Sequence, residues 1–146
     1  HIVGSFEEGY KSLMDELEKA VVVKYHGYQS DMKRFYAMAS CVVLPSYHEG
    51  MSNVLLEAAA SGRPLITSDI PGCREAVEDG NSGYLCPAKD ANALYGAMQR
   101  VMELSVEQRS EMGRRGRERM QALFCKRMIV EETMKELREA IYEREL

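Results

Sequence analysis

No pair of cysteines in this sequence is spaced C-x-x-C, and its three histidines are scattered. Zinc sites are built from such clusters, so no metal centre is expected. The four cysteines, Cys41, Cys73, Cys86 and Cys125, stand apart, three of them within apolar runs. They read as reduced, partly buried thiols of an intracellular protein. Positive charge is not in excess either. Nineteen Lys and Arg face 23 Asp and Glu, a formal net charge of −4. Binding to a nucleic-acid backbone usually needs a basic surface, so nucleic acid is not expected as the main partner. A nucleotide remains compatible, since it needs only a local cationic or helix-terminal pocket. No apolar run approaches the length of a membrane-crossing helix, and no signal peptide is recognisable. A cytoplasmic location is expected on that basis. Internal repeats and low-complexity linkers are missing as well. What remains is an ordinary globular composition of 45% hydrophobic and 29% charged residues over 146 positions. That suits one domain with a core that needs no disulfide. The opening His1-Ile2-Val3-Gly4 reads as the end of a strand, so more chain is expected to precede it.

Short apolar runs alternate with helical stretches. Ile2-Val3 is a strand remnant. Residues Glu7 to Ala20 predict a helix with Leu13, Met14 and Leu17 on one face. Val21 to Gly27 predicts a strand ended by glycine. Asp31 can cap a short helix reaching Met38. Cys41 to Pro45 is an apolar strand stopped by proline. Ser52 or Asn53 can cap a helix to Ser61, closed by Gly62. Pro64 to Thr67 and Gly83 to Cys86 predict two further strands. Everything after Asp90 reads as helical, with a break near Phe124. Apolar strands separated by helices indicate an α/β fold, a doubly wound parallel sheet with helices on both faces. In such sheets ligands bind beyond the carboxyl ends of the strands. The loops after Gly27, Pro45 and Thr67 are therefore the ones to inspect.

The stretch from Pro45 to Ala58 carries the chemistry. A buried strand ends, Gly50 follows, and two residues able to open a helix come next. A helix amino terminus at the carboxyl edge of a parallel sheet offers unpaired N–H groups and partial positive charge to a phosphate. Gly50 would let backbone approach a ligand closely. Glu57 is the odd residue, a carboxylate inside Val54-Leu55-Leu56-Glu57-Ala58-Ala59-Ala60. If buried it needs hydroxyl or N–H partners, which a sugar could supply. Read alone, it could equally be the solvent edge of an amphipathic helix. Glu49, alone, reads as a solvated loop charge, and His48 as a surface residue rather than a base.

The run from Glu49 to Glu57 resembles the Glu-x7-Glu signature of retaining, nucleotide-sugar-dependent glycosyltransferases with two Rossmann-like lobes, the GT-B group 1 or family 4 type. Four neighbouring blocks share the resemblance. Cys41-Val42-Val43-Leu44-Pro45-Ser46 leads into the first glutamate. Glu57 to Ile66 is similar to E-A-x-A-x-G-x-P-x-I. Pro71-Gly72-Cys73-Arg74-Glu75 and Asp79 to Leu85 are similar to P-G-x-x-E and D-G-x-x-G-x-L. The likeness runs from about Gly4 to the last helix.

The resemblance implies roles. Glu49 would hold hydroxyls of the donor sugar and act at the reaction centre. Glu57 would bind the ribose hydroxyls. Gly50, Met51 and Ser52 would face the sugar and diphosphate, with Asn53 and Val54 opening the helix beneath. Gly27, Tyr28 and Gln29 would lie against the base. The donor would be a nucleotide sugar, a UDP-sugar by family frequency, and transfer would retain the anomeric configuration without a metal or other cofactor. The chain would be one carboxyl-terminal donor-binding domain over residues 1–146. The amino-terminal acceptor lobe of the same polypeptide, and the Arg and Lys that clamp the diphosphate, would precede it. Alone it would bind nucleotide weakly and catalyse nothing measurable. The full-length protein would serve polysaccharide or lipid-linked glycan synthesis, with peripheral association at the inner membrane face left open. Two other readings remain. A nucleotide-sugar epimerase or a phosphorylase could share the fold, though Glu-x7-Glu disfavours the first and no pyridoxal lysine is evident for the second. A non-catalytic nucleotide-binding or regulatory α/β module would leave Glu49 and Glu57 in solvent with no shared cleft.

The carboxyl-terminal third adds two features. Arg109, Arg114, Arg115, Arg117 and Arg119 alternate with Glu111 and Glu118, which reads as a solvated helix rather than a polyanion patch. Val130, Met134, Leu137 and Ile141 recur at helical spacing. Part of that stripe is expected to be exposed or covered by another chain segment.

Overall fold

A computed structural model describes residues His1 to Tyr142. The chain divides into two compact units, His1–Phe35 and Tyr36–Leu146. The first unit holds a 3-10 turn at Glu8–Tyr10, helix α1 at Lys11–Lys19 and the start of α2, Lys33–Met38. Asp31 accepts the Lys33 backbone N–H at 3.0 Å, so the expected cap is present.

The strand expected over Val21 to Gly27 does not form a ladder. The end of α1 takes its donors first. Val21 N–H bonds the Glu18 carbonyl, and those of Val22 and Val23 both bond Leu17. Val21 is driven to φ 57, an unusual place for a β-branched residue. Pairing shrinks to a single parallel bridge between Ile2 and Tyr25.

The second unit is built on a parallel sheet in the order β1-β2-β3, formed by Val42–Leu44, Leu65–Ser68 and Gly83–Cys86. Val42 pairs with Leu65, and Leu65 in turn with Gly83. All four residues of the central strand β2 are buried. Successive side chains of a strand point to opposite faces, so helices must cover both. On one face Ile66 meets Ala97 and Val101 of α4, Ala91–Glu103. Elsewhere α3, Asn53–Ala60, packs on α5, Val106–Leu123. Leu55, Ala58 and Ala59 of α3 and Met112, Gly113, Gly116 and Met120 of α5 are their buried residues. Close approach demands glycine here. A Cβ on Gly113 would come within 2.0 Å of the Gly62 carbonyl oxygen.

Local chemistry sets the helix starts. Asp90 accepts the Ala93 N–H to open α4. Ser105 and Gln108 form a reciprocal capping box that opens α5, which adds a break at Leu104–Ser105 to the one expected near Phe124. The last helix, α6, spans Lys126–Tyr142, and Val130, Met134, Leu137 and Ile141 are all exposed on it. Among the described residues no helix is long and apolar enough to cross a membrane.

Candidate functional site

Strand β1 ends at Leu44, and the chain turns through Pro45 to Ser52 before α3 begins. Ser52 occupies the cap position but makes no side-chain cap bond. Its backbone N–H instead donates to the Gly72 carbonyl at 3.1 Å. Leu56 N–H closes the first helical bond onto Ser52. The N–H groups of Asn53, Val54 and Leu55 between them have no partner among the described residues. Three donors thus remain at the amino end of a helix that follows the carboxyl edge of a parallel sheet.

A second loop props this one. Gly72, at φ 85, lies so close beneath it that a Cβ there would stand 1.6 Å from the Gly50 carbonyl oxygen. The Gly72 N–H donates to Glu75 Oε2 at 2.8 Å. Arg119 of α5 reaches the Glu75 carbonyl from Nε and Nη2, both at 3.2 Å. Gly50 itself is open. Nothing lies within 4 Å of where its Cβ would be. No contact inside the chain therefore requires glycine at that position.

Among the described residues Glu49 and Glu57 each accept from one side chain. Glu49 is exposed and accepts from the Ser46 hydroxyl at 2.8 Å. Glu57 is exposed on α3 and accepts from the Tyr36 hydroxyl through Oε2 at 3.2 Å. Burial, then the nearby Glu57 charge, push the Tyr36 phenol up to about 12, so it stays a donor near neutral pH. Burial also raises the Cys73 thiol, a hydrogen bond with Thr67 opposing the shift and the charges of Glu49 and Glu75 adding to it. His48 is exposed, and so is Met51.

A cavity of about 170 Å³ lies at the carboxyl ends of all three strands, lined among others by Pro45, Ser68 and Cys86. Tyr47 and Lys89 flank it, the Lys89 ammonium 5.4 Å from the Tyr47 ring centre. Drug-sized ligands usually occupy about 300–1,000 Å³, so this cavity alone is too small to enclose one. Among the described residues no three His, Cys, Asp or Glu side chains are grouped to hold a metal.

Glu49, Gly50, Met51, Ser52, Asn53 and Glu57 are thus gathered on one loop and the helix it opens. Gly27, Tyr28 and Gln29 belong to the first unit. There Gly27 sits at φ 65, Tyr28 is exposed, and Gln29 bridges the His26 carbonyl and Arg34. Sequence reasoning missed Tyr36, Ser46 and the prop made by Gly72 and Glu75. Pro71 to Glu75 was legible as a block of residues, but its contact with Gly50 was not. Tyr36 lies 21 positions from Glu57 and carries no local signal.

The model for glycosyl transferases group 1 matches residues 1–119. A glycogen synthase of Mycobacterium tuberculosis is 45% identical over 65 residues, 44% of this chain and 16% of that protein. A sucrose-phosphate synthase of Thermosynechococcus elongatus superposes with a TM-score of 0.82 at 30% identity, over 97% of this chain and 38% of the other. Anabaena HepE, solved in complex with UDP, superposes with a TM-score of 0.79 at 21% identity, over 94% of this chain and 40% of the other. The chain therefore spans well under half the length of each of these relatives.

Proposed function

Because this chain belongs to the group 1 glycosyl transferases, we propose that it is the carboxyl-terminal, donor-binding lobe of a retaining two-lobed enzyme. In that enzyme it binds a nucleotide sugar, and a second lobe supplies the acceptor. The observation that carries the reading is the open amino end of α3. Three N–H groups with no partner among the described residues stand between an acidic residue in the preceding loop and another one turn into the helix.

The chemistry follows from those groups. Breaking the bond between sugar and diphosphate leaves negative charge on the diphosphate. Fixed N–H groups and the partial charge of a helix end stabilise that charge without reorganising, so no metal is required. Gly50, Met51 and Ser52 lie against the sugar and diphosphate, and Gly50 leaves the room its missing Cβ would fill. Glu49, steadied by Ser46, accepts hydroxyl hydrogen bonds from the sugar at the reaction centre. Glu57 accepts the pair of ribose hydroxyls, since a carboxylate offers several acceptor positions in one plane. UDP is the favoured nucleotide, supported by the UDP complex of HepE. A polysaccharide or lipid-linked glycan is the favoured product, in keeping with the glycogen synthase relative. Cytoplasmic placement, at the inner membrane face in the whole enzyme, suits that role.

Calorimetric titration with UDP, GDP and ADP tests the reading. Binding of one nucleotide that is lost in Glu57→Ala, with Gly50→Ala weakening a nucleotide sugar while leaving the unfolding midpoint unchanged, is the expected result. No binding at millimolar nucleotide, or binding indifferent to Glu57, would overturn it in favour of a non-catalytic module.

A further inference from the structure

Tyr36 brings no reactive group to the site, yet it is the residue that holds Glu57. Its ring is only 3% exposed, so its position is set by packing. Its hydroxyl reaches Glu57 Oε2 at 3.2 Å, and among the described residues it has no other partner. Glu57, by contrast, is an exposed carboxylate on a flexible stem. Left alone, such a side chain samples several rotamers and must be frozen when ligand arrives, which weakens binding.

We propose that Tyr36 is a positioning residue for nucleotide recognition, its hydroxyl holding the Glu57 carboxylate in the orientation that receives the ribose hydroxyls. This rests on the reading of Glu57 given above. The donor count permits it. A carboxylate has about four lone-pair positions, the phenol takes one, and those remaining suffice for two adjacent hydroxyls. The partnership is also one-sided in its rigidity. A buried ring orients an exposed carboxylate, and not the reverse. A hydroxyl is otherwise a poor choice for this buried position, because a phenylalanine would fill it without leaving a polar atom to satisfy.

The test separates positioning from a simple tie between helices. Titrate the chain with UDP, GDP and ADP, take the one bound most tightly, and repeat with its 2′,3′-dideoxy counterpart. Tyr36→Phe keeps the ring and removes the hydroxyl. It is expected to weaken the ribonucleotide about three- to tenfold, the net worth of one ordinary intramolecular hydrogen bond. The dideoxy form should bind Tyr36→Phe as it binds the unaltered chain. In a Glu57→Ala background, Tyr36→Phe should cause no further loss. An unchanged ribonucleotide affinity in Tyr36→Phe, beside a clear loss in Glu57→Ala, overturns the proposal and leaves the reading of Glu57 standing. Equal weakening of both ligands overturns it too, since the effect would then be structural. If Glu57→Ala has no effect, the reading of Glu57 fails first and the proposal with it. A measurement on the unaltered chain guards against misfolding of the variant. The Tyr36 ring carbon bearing the hydroxyl, observed by NMR, should shift with ribonucleotide and stay fixed with the dideoxy form. No shift at saturation overturns the proposal.

Discussion

Adding one methyl group at Gly72 should disable the loop that carries the site, and the same addition at Gly96 should do the opposite. Gly72 sits at φ 85, where an L-residue pays about 1–2 kcal/mol for its Cβ. Its Cβ would also stand 1.6 Å from the Gly50 carbonyl oxygen and 2.7 Å from that of Glu49. The first distance is roughly half of an ordinary carbon–oxygen contact, and backbone cannot rotate away as a side chain can. One of the two loops must move. Movement breaks the bond from Ser52 N–H to the Gly72 carbonyl, and Ser52 is only 4% exposed. Leaving a buried amide unpaired costs about 1–3 kcal/mol. Together the two effects predict a loss of about 2–5 kcal/mol for Gly72→Ala, a large part of the about 5–15 kcal/mol that holds a domain folded. Gly96 lies inside α4 with nothing within 4 Å of its Cβ position, so Gly96→Ala should stabilise by about 0.5–1 kcal/mol through helix propensity alone. Urea unfolding followed by far-ultraviolet circular dichroism measures both. A Gly72→Ala chain within about 0.5 kcal/mol of the parent would refute the reasoning, because that is the scatter of inconsequential surface changes.

Three further outcomes are expected. Gly113→Ala should destabilise by about 1–3 kcal/mol in urea although alanine favours helices, because its Cβ would meet the Gly62 carbonyl oxygen at 2.0 Å. The Arg114 guanidinium, with help from Arg115, lowers Glu111 from 4.5 to about 2. A carboxyl lowered on folding adds stability above its unfolded value and loses it as pH falls through its folded one. The melting temperatures of the parent and Glu111→Gln should therefore differ most above about pH 4.5 and converge towards pH 2; a constant gap would contradict the pairing. Of the four thiols, exposed Cys125 should react first with a disulfide reagent, while partial burial protects Cys41 and full burial protects Cys73 and Cys86; rapid loss of all four would contradict the packing.

The alternation of apolar strands and helices, the start of α3 near Ser52 or Asn53 and the helical run after Asp90 were readable from the sequence alone. Each depends on residues close together in the chain, where periodicity and local helix-start signals act directly, although Ser52 makes no side-chain cap bond. Strand β3 was legible to the residue for the same reason. The valines at 21 to 23 misled, because β-branched residues favour strands only where a neighbour can accept their hydrogen bonds, and the end of α1 claimed those donors. Glu57 stood open between solvent edge and ligand contact. The fold made it an exposed carboxylate with a buried tyrosine behind it, a pairing that spans 21 residues. The sequence by itself therefore determined which residues open the helix and where its acidic partners stand. Only the tertiary structure decided that Tyr36 meets Glu57 and that Gly72 lies under Gly50, because contacts between distant segments follow from packing and leave no periodic trace in the chain.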